Sequence, residues 1–450
     1  MNDPGLSTVV VPPRLWFWQN LKVLSSLLLL FWPGLILAQE VGASAEPVVN
    51  SGDVAWMLIS TALVAMMTPA GLALFYGGMT PERNVINTLG MSYMAYCLGS
   101  VVWVIIAYSL AFAPDAGYGL IGNLDHTFLQ NISVKDVNGS IPTLVFVGFQ
   151  GTFAAIAVAL ISGSVIERVK FSAWILFTVF WSILVYAPIA NWVWGGGFLA
   201  DCGVLDFAGG TVIHISAGVS GLVFAMLLGR RLDTDSAGFS PYSIKFTVLG
   251  AGLLWFGWFG FNGGSQLSAD AIAANAVLVT NISASMGVVG WMLIEWLFTG
   301  RYTMFGAASG TVAGLVAITP AAGFVSPSSA MVIGLLGGII GYFGVYELKK
   351  RTRVDDALDA FGVHALVGTW GAIATGIFAD PEINAIGTGL WYGNPDQVMT
   401  QVWASLITIA YSALMTALIY AVLHFLLKGV RVDAETERAG IDSSFHGESA

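Results

Sequence analysis

Charge is what this chain has least of. Asp, Glu, Lys and Arg together make up 10% of its 450 residues, where a soluble globular protein is nearer a quarter. That scarcity excludes an ordinary soluble domain. The net charge of −10 arises from few charges of either sign, and no basic patch is present for a nucleic-acid partner. Cysteine is nearly absent: Cys97 and Cys202 fit neither a disulfide nor a metal spacing. No HExxH, GxSxG or P-loop occurs. Neither an enzyme, a cofactor site nor a metal site is expected.

What is there instead is hydrocarbon and glycine. Hydrophobic residues make up 56% of the chain, and glycine occurs 54 times. Bundled membrane helices use glycine where backbones approach closely. At the N-terminus, Arg14 and Lys22 precede an apolar run from Val23 to Leu37, followed by small residues at Ala38 and at Ala43-Ser44-Ala45. This is the order of a secretory signal peptide, and residues 1–45 are set aside from the fold. The other reading is an extra transmembrane helix, for which the run is short against the ~20 residues needed.

Eleven apolar spans follow, at about 54–78, 85–112, 142–165, 171–192, 208–229, 245–266, 271–298, 303–320, 327–348, 362–379 and 399–427. Backbone groups in lipid must be paired internally, so these runs predict helices. The expected organisation is an all-α membrane domain over 46–427 and a polar tail over 428–450. Fourteen Lys and Arg fall on alternate connections or in the tail: Arg83; Arg168 and Lys170; Arg230, Arg231 and Lys245; Arg301; Lys349, Lys350, Arg351 and Arg353; Lys428, Arg431 and Arg438. Beyond the N-terminal segment only Lys135 falls on the other side. The positive-inside bias then puts the N-terminus outside and the C-terminus in the cytoplasm of a plasma (inner) membrane protein. Asp115, Asp125, Asp201, Asp270, Asp380, Glu382 and Asp396 lie on the opposite loops. An acidic outer face favours cations at an outer mouth, although solvated loop surface reads the same way.

Two segments repeat. Asp206, His214, Gly218 and Gly221 have the same spacing as Asp356, His364, Gly368 and Gly371. They fall in the fifth and tenth spans, so they run in opposite directions. That predicts two inverted five-helix halves plus one extra helix, with the functional path between the halves. On each helix the glycines share a face with the histidine.

His214 and His364 are the most informative residues. Ionisable groups in apolar spans are costly and usually face a cavity or a partner. A structural histidine bonded to a carbonyl is the plainer reading of either one alone. As a symmetric pair near mid-membrane, two neutral imidazoles, each with one donor and one acceptor, could guide a polar neutral solute or relay a proton. Asp206 reads as a helix N-cap, with electrostatic support for a cation as its second role. Phe149 and Phe153 share a helix face; Trp258, Phe261 and Ser265 lie about one turn apart; Trp194 ends the fourth span. These aromatics read either as packing or as a cage whose faces attract a cation, with Ser265 adding a hydroxyl. His126, His424 and His446 read as ordinary.

At these residues the sequence resembles the Amt/Mep/Rh ammonium transporter family, on its bacterial Amt side. FQGTF, ERVKFSAW, NWVWGGG, DFAGGTVIHISAG, GWFGFNGGS, VDDALDAFGVH and the tail RVDAETERAGIDSSFHGESA carry the resemblance, over roughly residues 50–450. The resemblance implies a homotrimer with one pore per subunit. It implies a recruitment site at Trp194, Phe153 and Ser265 with Asp206 nearby. It implies a phenylalanine gate of Phe153 and Phe261 with Phe149 beside it, and a pore lined by Trp258, His214 and His364. The substrates implied are ammonium/ammonia and methylammonium. The tail's composition predicts a flexible end; the resemblance implies instead that it packs under the pores and helps bind a cytoplasmic PII signalling protein. The rivals are a non-transporting ammonium sensor on the same scaffold, an ion-coupled transporter of another small amine, and an Rh-type gas channel. The second lacks a midspan carboxylate, Glu295 lying near a cytoplasmic end. Trp194 and Ser265 disfavour the third.

Overall fold

The computed structural model describes residues 48–232, 241–348, 351 and 354–450. The signal segment and three of the counted cations, Lys349, Lys350 and Arg353, lie outside the described residues. Among the described residues, ten helices are long and apolar enough to cross a membrane. These are α1 (Ser51–Met79), α2 (Glu82–Phe112), α3 (Thr143–Val165), α4 (Phe171–Asp201), α5 (Gly210–Leu228), α6 (Ile244–Gly264), α7 (Ala271–Thr299), α9 (Pro327–Glu347), α10 (Phe361–Phe378) and α11 (Asp396–Leu426). Between α7 and α9 lies a shorter apolar helix, α8 (Met304–Ile318), of 15 residues.

The apolar run predicts an eighth span as far as residue 320, but the helix stops earlier because of Pro320. Proline has no N–H to donate and disfavours helix at the residue before it. The helix therefore closes at Thr319, and turns follow as far as Phe324. The shortness costs little. Every residue of α8 from Ala308 to Ile318 is buried in protein, so its ends need not reach across lipid. Starts are set by side-chain caps: Asn50 accepts from Gly52 and Asp53, Ser243 from Phe246, Asp270 from Ile272 and Ala273, Thr303 from Gly306, and Ser326 from Ser329. Each satisfies N–H groups that a helix start otherwise leaves unpaired.

Neighbouring helices pair as α1 with α6, α2 with α3, α3 and α11 with α5, α11 with α10, and α7 with α8 and α9. The expectation of a purely helical protein needs one small correction. Val137–Asn138 and Ile141–Pro142 form a two-residue antiparallel hairpin, whose turn begins with Gly139 at φ 61°. Glycine reaches that conformation without steric cost.

The connections carrying most of the positive charge meet at one end. Arg231 pairs with Glu167 and, at 2.7 Å, with Asp355. Arg168 donates to the main-chain oxygens of Gly229 and Asp355 at 2.9 and 2.6 Å. Burial opposes the charge on Asp355, but hydrogen bonds and charge from Arg231 outweigh it and hold this carboxyl well below the usual range. Burial brings the Arg168 guanidinium down to about 10.

The tail is not a flexible end. Val432 N–H donates to Arg168 O, and Lys170 N–H donates to Val430 O. Glu437, 5% exposed, accepts from Arg431 and from Leu232 N–H. Asp442 accepts from Ile86 and Asn87 N–H at 2.9 and 2.7 Å, capping the start of α2. The composition misled because few apolar anchors are needed when the tail's polar groups answer unpaired groups on the connections it crosses.

Candidate functional site

His214 and His364 each sit in a π-helical turn, Gly210–Ile215 at the head of α5 and Phe361–Leu366 at the head of α10. Five other such turns occur among the described residues, so the turn alone does not mark the pair. An aspartate caps each histidine turn. Asp206 accepts from the N–H groups of Gly209, Gly210, Thr211 and Val212 at 2.8, 2.6, 2.8 and 3.3 Å, and from the Thr211 hydroxyl. Asp356 accepts from Phe361 N–H at 2.8 Å.

The repeated glycines let the two elements meet. A Cβ on Gly218 would lie 2.5 Å from the main-chain nitrogen of Ala365, the residue after His364. A Cβ on Gly368 would lie 3.0 Å from the Cβ of His214. Each glycine thus faces the other helix's histidine neighbourhood. The contact brings His364 Nδ1 to 3.3 Å from His214 Nδ1. The rings are 5.3 Å apart and inclined by 18°. Two neutral rings in this contact set one donor nitrogen against one acceptor. The outer nitrogen of His214, Nε2, is buried with no protein partner.

On one side of the pair, His214, His364, Trp258, Phe261, Leu160 and Val312 are among the residues lining a cavity of about 10 Å³, the size that holds one water-sized molecule. Apart from the imidazoles and the Trp258 indole its walls are hydrocarbon. His364 also lines a second cavity of about 20 Å³ with Tyr76, Phe305, Ser309 and Asp359. An ion placed among hydrocarbon walls loses its hydration without replacement, at a cost far above that of a neutral polar molecule. The walls of the first cavity suit a small neutral molecule able to accept and donate hydrogen bonds better than an ion.

The aromatics form one connected series. Trp194, half-buried, lies 6.2 Å from Phe153, and its indole N–H donates to the main-chain oxygen of Asp206 at 2.8 Å. Phe153 packs on Phe261 at 4.3 Å, and Phe149 packs edge-on to Phe153 at 4.7 Å. All three phenylalanines are buried. Phe261 leads to Trp258 at 5.2 Å and to His214 at 6.2 Å. Trp258 stacks near-parallel to His214, and its N–H donates to Thr319 at 2.9 Å. Ser265 is half-buried one turn past Phe261, its hydroxyl donating to Phe261 O at 2.8 Å. Ring contacts thus run from Trp194 through Phe153 and Phe261 to His214. Glu295 is buried at the end of α7, where it accepts from the hydroxyl and N–H of Thr303. It is a cap and lines neither cavity.

Sequence reasoning missed Thr319, which orients Trp258, and the aliphatic walls Leu72, Ile156, Leu160, Leu254 and Val312. A Leu in an apolar span carries no signal of which way it faces. Among the described residues no group of three or more His, Cys, Asp or Glu could hold a metal ion.

The chain matches the Ammonium Transporter Family over residues 55–450. It is 48% identical to an ammonium transporter of Aquifex aeolicus over 421 residues, 93% of this chain and 98% of the relative. It is 46% identical to an ammonium transporter of Bacillus subtilis over 402 residues, 89% of this chain and 98% of the relative. Its fold is similar to the crystal structure of Saccharomyces cerevisiae Mep2, with a TM-score of 0.80 and 34% identity over 86% of this chain and 88% of that one. It is similar to a sensor Amt protein with a TM-score of 0.81 and 27% identity, over 88% of this chain and 98% of that one. A helical membrane protein with these relatives, the chain belongs to the ammonium transporter family.

Proposed function

We propose that this chain carries ammonium across the plasma membrane by recruiting the cation, removing its proton and conducting ammonia. Ten membrane-crossing helices and the shorter buried α8 form two inverted five-helix halves plus α11, with the N-terminus outside and the C-terminus in the cytoplasm. The observation that carries the reading is the His214–His364 pair at 3.3 Å beside a hydrocarbon-walled cavity that Phe261, in contact with Phe153, also lines. The reciprocal glycine contacts support the inverted halves, and the gathering of Arg168, Arg231 and Arg431 near the tail supports a cytoplasmic end.

Ammonium is drawn to Trp194, Phe153 and Ser265, where aromatic faces replace part of its hydration. Asp206 supports that site through its fixed negative charge and through the carbonyl that holds the Trp194 indole. The contact of Phe153 with Phe261 closes the way to a hydrated ion. A proton must be left behind, because the passage beyond gives an ion no compensation. Ammonia then passes the phenylalanines and hydrogen-bonds along Trp258, His214 and His364, while the proton moves separately through the histidines. The chain works as a homotrimer, and its docked tail offers a face to a cytoplasmic PII signalling protein.

The test is methylammonium uptake by cells lacking their own ammonium transporters, with wild type and with His214→Ala and His364→Ala. Wild type takes up methylammonium and both variants lose rate or selectivity. Wild type present in the membrane without uptake would sink the transport reading and favour the sensor alternative. Unchanged uptake and selectivity in both variants would sink the histidine mechanism.

A further inference from the structure

We infer that Gln401, on α11, is a positioning residue for the cation site, acting through Leu205 and Asp206. The inference rests on the transport reading above.

The chain from Gly203 to Asp206 is irregular, yet Leu205 and Asp206 are buried. Backbone groups in such a segment have no helix or sheet partner and must find one elsewhere. The Gln401 side chain, 0% exposed, supplies it. Leu205 N–H donates to Gln401 Oε1 at 2.9 Å, and Gln401 Nε2 donates to Leu205 O at 2.6 Å. A side-chain amide thereby makes the two-bond pairing that a neighbouring strand would make. Gln401 Nε2 also donates to Ala372 O, at 3.1 Å. Both donors and the acceptor of the buried amide are used. One turn earlier, Gln397 Nε2 donates to Gly203 O at 2.9 Å.

What hangs on Leu205 is the next residue. The Asp206 carbonyl accepts the Trp194 indole N–H, and its carboxylate caps the turn bearing His214. Ala372 lies on α10, the helix headed by His364. One amide therefore ties the lead-in of one histidine helix to the body of the other. It also fixes the carbonyl on which the outer tryptophan rests. The hydrogen bonds of the Gln401 amide go to Leu205, Ala372 and Gln397 and not to a histidine ring or Trp194, so its effect on transport runs through these anchors. It gives α11, the helix left over from the repeat, a defined part in binding the cation.

The experiment is methylammonium uptake into vesicles holding the full-length chain, measured against concentration for wild type, Gln401→Leu, Gln401→Glu, Trp194→Leu and the Gln401→Leu/Trp194→Leu double variant. Rates are divided by the protein found in the membrane. In Gln401→Leu the Leu205 and Ala372 groups lose their partners and the indole loses its fixed carbonyl. The half-saturating concentration rises about tenfold while the maximal rate stays within about threefold. In the Trp194→Leu background the same change moves the half-saturating concentration less than about twofold, because the group it positions is gone. A merely structural glutamine gives no such split and no such loss of effect. If Gln401→Leu does not reach the membrane, Gln401→Glu, which keeps length and an acceptor oxygen but loses N–H donors, is read the same way. Failure of both to insert overturns the inference in favour of a folding role. Uptake by wild type with an unchanged half-saturating concentration in Gln401→Leu, or equal effects in both backgrounds, overturns it alone. Absence of wild-type uptake overturns the transport reading and this inference with it.

Discussion

Gly368 packs directly on His214: a Cβ added to the glycine would lie 3.0 Å from the histidine Cβ. Its mate Gly218 is tighter, with a Cβ there only 2.5 Å from the main-chain nitrogen of Ala365. Alanine gains about 1 kcal/mol of helix propensity over glycine, but overpacking costs about 1–3 kcal/mol. Overpacking wins at Gly218, where backbone must move, so Gly218→Ala lowers stability by up to about 2 kcal/mol. Gly368→Ala loses less, because a few tenths of an ångström relieves the contact. Thermal melting of the purified protein gives the order. Equal melting of both variants and wild type contradicts the close approach.

The Asp206 carboxylate accepts from four main-chain N–H groups and the Thr211 hydroxyl. Asn at this position puts an NH₂ against donors on one side, and Ala leaves all of them unpaired. Asp206→Ala therefore costs more than Asp206→Asn, which costs about 1–3 kcal/mol, and Thr211→Val costs least. Uptake follows the same order as melting temperature. An Asp206→Asn protein as stable and as active as wild type contradicts both its capping and its electrostatic part.

The features that could be read from the chain share one property: chemistry out of keeping with its surroundings. His214 and His364 stand out in apolar runs, and their spacing to Asp and Gly repeats. Phe153, Phe261 and Trp194 stand out by spacing, but only the resemblance gives them roles, because an aromatic in a membrane helix looks the same in a wall as in packing. The geometry joins them into one series through contacts of 4.3–6.2 Å. The aliphatic walls and Gln401 were illegible for a different reason. Their roles depend on which helices adjoin, and no local pattern encodes that. The π-helical turns under both histidines were equally hidden. The tail misled because its anchors, Asp442 and Glu437, are polar residues bonding to connections hundreds of positions away.

Asp442 caps α2 from the tail. Asp442→Ala removes acceptors for Ile86 and Asn87 N–H and costs about 1 kcal/mol, concentrated in tail docking rather than the membrane bundle. Limited proteolysis then cuts the tail faster than in wild type, while melting of the bundle shifts little. Equal cutting rates contradict the docked arrangement.

The Asp355 carboxyl is held below the ordinary value of about 4 by Arg231, against the opposing effect of burial. A group whose folded value is lowered adds stability above its unfolded value and loses it as pH falls toward the folded value. Stability from this pair is therefore complete at about pH 5–8 and declines below about pH 4. Asp355→Asn leaves Arg231 short of a buried partner, costs about 3 kcal/mol at neutral pH, and shows a smaller loss between about pH 5 and pH 3. Parallel acid curves for the two proteins contradict this assignment.

The central claim is that the cation is recognised but does not cross intact. The direct measurement compares ammonium and potassium, a cation of similar size with no proton to lose, in vesicles containing the purified protein. Ammonium added outside is taken up, and potassium at the same concentration is not. Potassium passing wild type at a rate comparable to ammonium would mean that an intact cation traverses the hydrocarbon passage at His214 and His364, and would contradict the account.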